Sequence, residues 1–280
     1  MRLFLLTGLA MLAFAGNSVL NRMAVAAGHI GAVEFALIRL VSGAAMLGLL
    51  LALRGRVWPG LAGRGPGVFG LLIYLFGFSF AYRGLDAGTG ALILFGAVQV
   101  TMFAGAVLAR EAVPARRWAG AGLALAGLSL MALPGASAPP LAPVLLMAGA
   151  GLGWGIYSLA GRRAADPLAA TAWNFILSVP LALLVALASG LVMPSTQGVA
   201  LAVISGAVTS GLGYALWYAL VPQLGAARAA VAQLTVPILA ALGGAVLIAE
   251  APGWRFVVAS LLVLGGVALA SLNYRALTKR

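Results

Sequence analysis

Apolar residues fill ten stretches of this chain, near 3–27, 33–53, 66–85, 88–110, 115–133, 143–163, 167–189, 197–221, 225–249 and 253–275, and polar residues gather in the short gaps between them. A helix rises 1.5 Å per residue, so about 20 apolar residues are needed to cross the hydrocarbon of a bilayer. Each stretch is of about that length, and no gap is long enough to hold a domain outside the membrane. The pattern predicts an all-α polytopic membrane protein with ten transmembrane helices. The first stretch follows Arg2 and ends near AVAAG (Ala24 to Gly28), as a signal peptide would. Its apolar part is longer than a usual signal core, and Asn17, Asn21 and Arg22 interrupt the cleavage region, so it is read as the first span.

Composition sharpens that picture. The chain is 63% hydrophobic and 8% charged, with a mean hydropathy of +1.10, too little polar surface for a soluble domain of 280 residues. Its 38 glycines and 13 prolines fall inside apolar runs as well as between them, as membrane helices tolerate when their neighbours re-satisfy the backbone. The sequence has no cysteine, which excludes disulfides and thiol chemistry. A single histidine with no carboxylate cluster gives no reason to expect a metal, a cofactor or a catalytic centre. The net charge of +12 would suit a nucleic-acid binder, but the arginines stand in ones, twos and threes between apolar runs, so no nucleic-acid partner is expected. Their placement sets topology instead. With the N-terminus inside, Arg2, Arg54, Arg56, Arg64, Arg110, Arg116, Arg117, Arg162, Arg163, Arg275, Lys279 and Arg280 are cytoplasmic, most of the 17 basic residues. That bias predicts a multi-pass protein of the inner (plasma) membrane with both termini cytoplasmic.

LAREAVPARRWAG (Leu108 to Gly120) and LIAEAPGWRFV (Leu247 to Val257) each end an apolar run on one glutamate and turn near a proline and an arginine. The glutamates, Glu111 and Glu250, lie 139 residues apart. A shift of 139 or 140 residues also sets FAGNSVLNRMA (Phe14 to Ala24) on WGIYSLAGRRA (Trp154 to Ala164), with Ser18 on Ser158 and Arg22 on Arg162. Residues 1–135 and 141–280 are therefore read as two five-span units. Five is odd, so the units enter the membrane from opposite faces, as two inverted-topology five-helix repeats around a central cavity. The two glutamates are expected to cap their turns or to pair with Arg116 or Arg255.

A lone Glu after the fourth span of each half, followed by a glycine-rich fifth span (GAGLALAGLSL, LLVLGGVALAS), resembles the drug/metabolite transporter superfamily, and its EamA-type ten-helix branch over essentially the whole chain. The Pro…Glu spacing of that branch is kept as Pro237 and Glu250, while in the first half Gln99 stands beside the place of the missing proline. Aromatic-rich helices and the lack of a phosphate-binding lysine are most similar to the YddG-type exporters of aromatic and other amino acids. The resemblance implies a membrane transporter that exports small organic solutes by alternating access. It places spans 1, 3, 4, 6, 8 and 9 around the cavity, spans 5 and 10 outside as braces, and span 2 at the periphery. Amino acids, aromatic ones included, are the expected cargo; drugs, nucleosides or other metabolites on the same scaffold are the alternative. A channel would carry a repeated filter or a charged ring, and an intramembrane enzyme a nucleophile–base pair or metal cluster; the sequence shows neither. The expected partners are the small-molecule substrate and membrane lipids, with a monomer as the expected state.

The cavity spans carry nearly all the polar or amphipathic side chains found at depth. Substrate-binding candidates are Asn17, Gln99 and Gln233; the stripe Tyr74, Phe78 and Tyr82 at i, i+4, i+8; Trp154, Tyr157 and Ser158; and Tyr214, Trp217 and Tyr218. An amide in hydrocarbon is costly unless bonded or hydrated, and aromatic walls with a few amides suit an apolar body with a small polar head. Ser79, Thr101 and Thr209 are expected to bond their own helix backbone, and Trp58, Trp118, Trp254 and Tyr274 to anchor at the interface. Arg39, inside span 2, must pair or snorkel. No carboxylate stands at mid-depth in the cavity spans, so facilitative transport is expected.

Overall fold

The computed structural model describes residues 1–55, 63–135, 138–162 and 164–271, with no side chain described at 226 and 227. Trp58, Tyr274, Arg56, Arg163, Arg275, Lys279 and Arg280 thus lie outside the described residues. Every regular element among the described residues is helical: α1 Arg2–Ala26, α2 Ala32–Leu53, α3 Gly65–Ala81, α4 Ala87–Leu108, α5 Ala115–Ala132, α6 Leu141–Gly161, α7 Pro167–Ser189, α8 Thr196–Gly225, α9 Arg228–Ile248 and α10 Trp254–Ser271. Eight of them are long and apolar enough to cross a membrane. The exceptions are α3, which is 17 residues long, and α5, which opens on Arg116 and Arg117. Large apolar side chains such as Phe4, Leu184 and Val246 face outward, an arrangement suited to lipid rather than water. The protein is a polytopic membrane protein.

Two backbone features shape the second half of the bundle. Gly225, three residues after Pro222, takes a φ of 74° and separates α8 from α9; only glycine adopts that conformation cheaply. Within α8, Ile204–Leu212 is wound as a π-helix.

Successive helices reverse direction, so their ends gather at two faces. At one face Arg22, near the end of α1, donates to the carbonyls of Tyr82 and Arg83 just beyond α3, and Glu250, just beyond α9, accepts from the Ala87 N–H that opens α4. At the other, Arg64 before α3 donates to the Ala170 carbonyl and to Asn174 of α7, while Arg162 after α6 meets Glu111 after α4. The central helix is α1, which touches α4, α8 and α9.

Two helix pairs approach closely through glycine. An added Cβ at Gly70 of α3 would lie 2.6 Å from the Gly153 carbonyl of α6, and one at Gly153 would lie 2.7 Å from the Gly70 carbonyl. Between α5 and α10, Gly266 stands in the same relation to the Gly120 carbonyl at 2.5 Å. Without a hydrophobic driving force between helices in lipid, such backbone-to-backbone packing is what holds them. Gly122 and Gly265 sit on the same two helices with nothing within 4 Å of an added Cβ. We expect Gly120→Val or Gly266→Val to cut the yield of monodisperse protein in detergent severalfold, with Gly122→Val and Gly265→Val near wild type, measured by fluorescence-detected size exclusion.

Candidate substrate-binding site

Aromatic side chains from five helices meet at the centre of the bundle. Phe14, Asn17 and Ser18 of α1, Tyr74 and Phe78 of α3, Leu94 and Phe95 of α4, Trp154 of α6 and Tyr214 of α8 line a cavity of about 20 Å³, room for a water or two. Its walls interlock. The Trp154 ring lies 4.9 Å from Tyr74, 5.2 Å from Tyr214 and 5.0 Å from Tyr157, stacked on the last. Phe14 meets Tyr214 and Trp217 edge-on at 5.6 and 5.7 Å. Offset and edge-to-face contacts of this kind hold rings in fixed orientations.

The polar side of the cavity is built by the π-helical stretch. Ser205 and Ser210 are five residues apart, the hydrogen-bond repeat of a π-helix, and Thr209 adjoins them. That winding brings three hydroxyls to one acceptor: Ser205 Oγ, Thr209 Oγ1 and Ser210 Oγ donate to Asn17 Oδ1 at 2.8, 2.6 and 3.2 Å. The stretch leans tightly on α2, where an added Cβ at Gly206 would overlap the Arg39 carbonyl and the Ser42 hydroxyl.

Arg39 lies where these elements join. Its side chain is fully buried. Nε donates to Ser210 Oγ at 3.1 Å and Nη2 to the Tyr74 hydroxyl at 2.7 Å, while the guanidinium carbon stands 5.1 and 4.9 Å from the Tyr74 and Phe78 ring centres. Nη1 is buried and has no hydrogen-bond partner among the described residues. The sequence reading set span 2 at the periphery and required Arg39 to pair or snorkel. Instead, α2 packs against α7 and the π-helical stretch, and its arginine bonds neutral groups directly behind the cavity wall.

Of the twelve candidates, Asn17, Tyr74, Phe78, Trp154 and Tyr214 line the cavity together. Five stand close behind it. The Tyr82 hydroxyl donates to the Ala87 carbonyl, the Tyr157 hydroxyl donates to Thr171, and Trp217 packs on Phe14. Ser158 donates to the Trp154 carbonyl of its own helix, and Tyr218 is half-buried beside the cluster. Gln99 lines a second, larger cavity of about 470 Å³ between α4, α5, α9 and α10 at the Arg162 end, and Gln233 lines neither. Thr101 bonds its own helix as expected, at the Ala97 carbonyl; Ser79 accepts from Asn21 Nδ2. Thr209 bonds both its own helix and Asn17. Arg39 was singled out in the sequence as a charge at depth but not among the site candidates, and Ser205 and Ser210 were not singled out. Hydroxyls at i, i+4 and i+5 in an apolar run were the available signal.

Ion pairs close the bundle unequally at its two faces. Glu250 takes Arg22 Nε on one oxygen and the Ala87 N–H on the other at 2.8 Å, while Asp86 lies 3.6 Å from Arg22 Nη2. Burial and then the Glu250 carboxylate push the Asp86 carboxyl above its usual range, against the pull of Arg22. At the opposite face Arg162 and Glu111 stand 3.5 Å apart, both well exposed, at the mouth of the larger cavity. Glu250 thus does cap a helix, but its ionic partner is Arg22; Arg255 instead donates to the Leu130, Leu133 and Pro134 carbonyls that end α5. Trp118 and Trp254 are largely exposed near helix ends. Among the described residues no three His, Cys, Asp or Glu side chains come together as a metal site would require.

Residues 141–272 match the EamA-like transporter family. An uncharacterized protein of Pseudomonas aeruginosa is 51% identical over 269 residues, which cover 96% of this chain and 94% of the relative. A solved structure described only as the crystal structure of a protein superposes with a TM-score of 0.68, covering 100% of this chain and 99% of its own, at 22% identity. That last likeness concerns the fold alone.

Asn17 offers the most direct check of the polar wall. Asn17→Leu removes the shared acceptor of three buried hydroxyls, a loss of roughly 1–3 kcal/mol. We expect it to lower Tm in detergent by several degrees, and Ser205→Ala by less, because Asn17 then keeps two donors.

Proposed function

The chain belongs to the EamA-like transporter family, and from that premise we propose that it is a carrier exporting small organic solutes, amino acids with aromatic ones among them, by facilitative alternating access. The observation that carries this reading is the pair of cross-half ion contacts. Arg22 with Glu250 and Arg162 with Glu111 each join residues 1–135 to residues 141–280. A shift of 139 or 140 residues exchanges one contact for the other, and they sit at opposite faces of the bundle. One is tight and mostly buried, whereas the other is loose, exposed and beside an open cavity. A two-state carrier closes its faces in turn, and two inverted repeats supply the second state by exchanging conformations.

Helix contacts support the same symmetry. α2 with α7 and α5 with α10 pair each helix with its own counterpart, and α3 on α6 is answered by α8 on α1. The arginine bias favours the Glu111 face, and with it the larger cavity, as cytoplasmic, while the aromatic cavity is closed to room for a water or two. An exposed pair like Arg162–Glu111 is worth about 0–1 kcal/mol, little enough to break on every cycle. For the cargo, the supports are the aromatic walls and the Asn17 amide, whose chemistry suits an apolar side chain and a small polar head once the cavity, closed here to room for a water or two, widens.

The chain has no native cysteine, which makes labelling clean. In intact cells a cysteine at Ser195 should react with an impermeant thiol reagent and one at Gly63 should not; the reverse would overturn the orientation. Ser18→Cys, on the cavity wall, should react weakly from outside, and severalfold faster once Glu250→Gln loosens the Arg22 face, with Glu111→Gln having no such effect. Proteoliposomes test the activity. Saturable uptake with trans-stimulation is the expected result, whereas linear flux marks a pore, chemical conversion an enzyme, and accumulation driven by an imposed proton gradient refutes facilitative transport.

A further inference from the structure

Each of the chain's five acidic residues is engaged away from Arg39. Glu34 accepts from the Val192 N–H, Asp86 and Glu250 sit with Arg22, Glu111 with Arg162, and Asp166 caps α7 through the Ala169 N–H. A guanidinium does not give up its proton in a protein. Arg39 is therefore a permanent charge, fully buried, with two of its nitrogens on neutral hydroxyls, the Tyr214 hydroxyl nearby, and Nη1 without a hydrogen bond among the described residues. Contact with the Tyr74 and Phe78 rings offsets only part of the cost of such burial. Ionisable residues at this depth are rare and bear on function.

Its surroundings say what completes it. Tyr74 and Phe78, over which the guanidinium lies, are cavity walls, and the Ser210 hydroxyl it holds is bonded in turn to the cavity residue Asn17. The Tyr74 hydroxyl accepts from Nη2 and lies within hydrogen-bond reach of the Tyr214 hydroxyl, so it links the guanidinium to the cavity wall. We infer that the cargo is recognised through a carboxylate, with Arg39 and the Tyr74 hydroxyl as its specificity-determining partners and the aromatic rings receiving its apolar body. This rests on the carrier reading and narrows it. No acidic side chain faces the site to read an ammonium group, so the carboxylate is required and the α-ammonium of an amino acid is not.

The test compares ligands of one shape and different charge on purified full-length protein. L-phenylalanine and 3-phenylpropionate carry the carboxylate; phenylalaninamide and phenethylamine lack it. By thermal shift and by inhibition of counterflow, the two carboxylates should bind, and the amide and amine should bind at least tenfold more weakly. Arg39→Met should weaken carboxylate binding roughly tenfold to hundredfold, with Arg39→Lys intermediate. Arg39→Met should also hold or raise Tm, since a buried charge without a counter-ion is removed; a merely structural arginine would lower it. Equal binding of amide or amine, binding of neither carboxylate, preference for a phosphonate analogue over the carboxylates, or undiminished carboxylate binding by folded Arg39→Met would each overturn the inference. If Arg39→Met does not fold, the wild-type ligand series still decides. Charge-selective binding without counterflow would refute the carrier and leave Arg39 standing; counterflow indifferent to the carboxylate would do the opposite.

Discussion

Arg22 and Glu250 come from opposite halves of the chain, and either alone would be a mostly buried charge at the end of an apolar bundle. Together they fix more than each other. Glu250 spends its second oxygen on the N–H that opens α4, and Arg22 its remaining nitrogens on Asp86 and on the carbonyls beyond α3. One ionic contact therefore ties the ends of α1, α3, α4 and α9 into a single plug over the aromatic cavity. Removing either partner would strand the other with incomplete solvation, which costs far more than the intact pair contributes. Among the described residues the Arg162–Glu111 contact at the opposite face has no such scaffold of caps and carbonyls, and it stands beside a cavity of about 470 Å³.

The same economy of charge governs the centre. With five carboxylates in 280 residues, all committed at helix ends, nothing acidic is left for Arg39. The fold surrounds it with hydroxyls and ring faces, and winds α8 into a π-helix that delivers one of those hydroxyls, Ser210, beside the Ser205 and Thr209 hydroxyls that bond Asn17. π-Helical turns are uncommon and gather at functional sites. Here the irregular winding, the buried cation and the aromatic cavity coincide.

Much of the helical architecture was legible because apolar runs of membrane-spanning length leave few alternatives. The described helices fall on the apolar stretches to within a few residues, and the glutamate corners found at equal spacing prove to be ion-paired. What escaped the reading depends on contacts between segments far apart in sequence. Glu250 was expected to cap a turn or to pair with Arg116 or Arg255; it does cap α4, but its ionic partner is Arg22, 228 residues away. Gln99 and Gln233 look like Asn17 in sequence, an amide inside an apolar run, but of the three only Asn17 bonds the π-helical hydroxyls. Arg39 was visible as a charge at depth. Its partners were hidden because they lie on other helices, and glycines at 206 and 211 let α2 settle against the π-helix.

Alternation between the two faces is best tested by distances measured across both on the same protein. Spin labels at Ala27 and Ala251 would report on the Arg22 face, and labels at Ala109 and Ala160 on the Arg162 face, by pulsed electron paramagnetic resonance in lipid nanodiscs with and without a transported carboxylate. The account predicts two populations with opposed changes: where the first distance lengthens, the second shortens, and Glu250→Gln enriches that state. Distances that stay fixed under every condition, or that lengthen and shorten together, would contradict it.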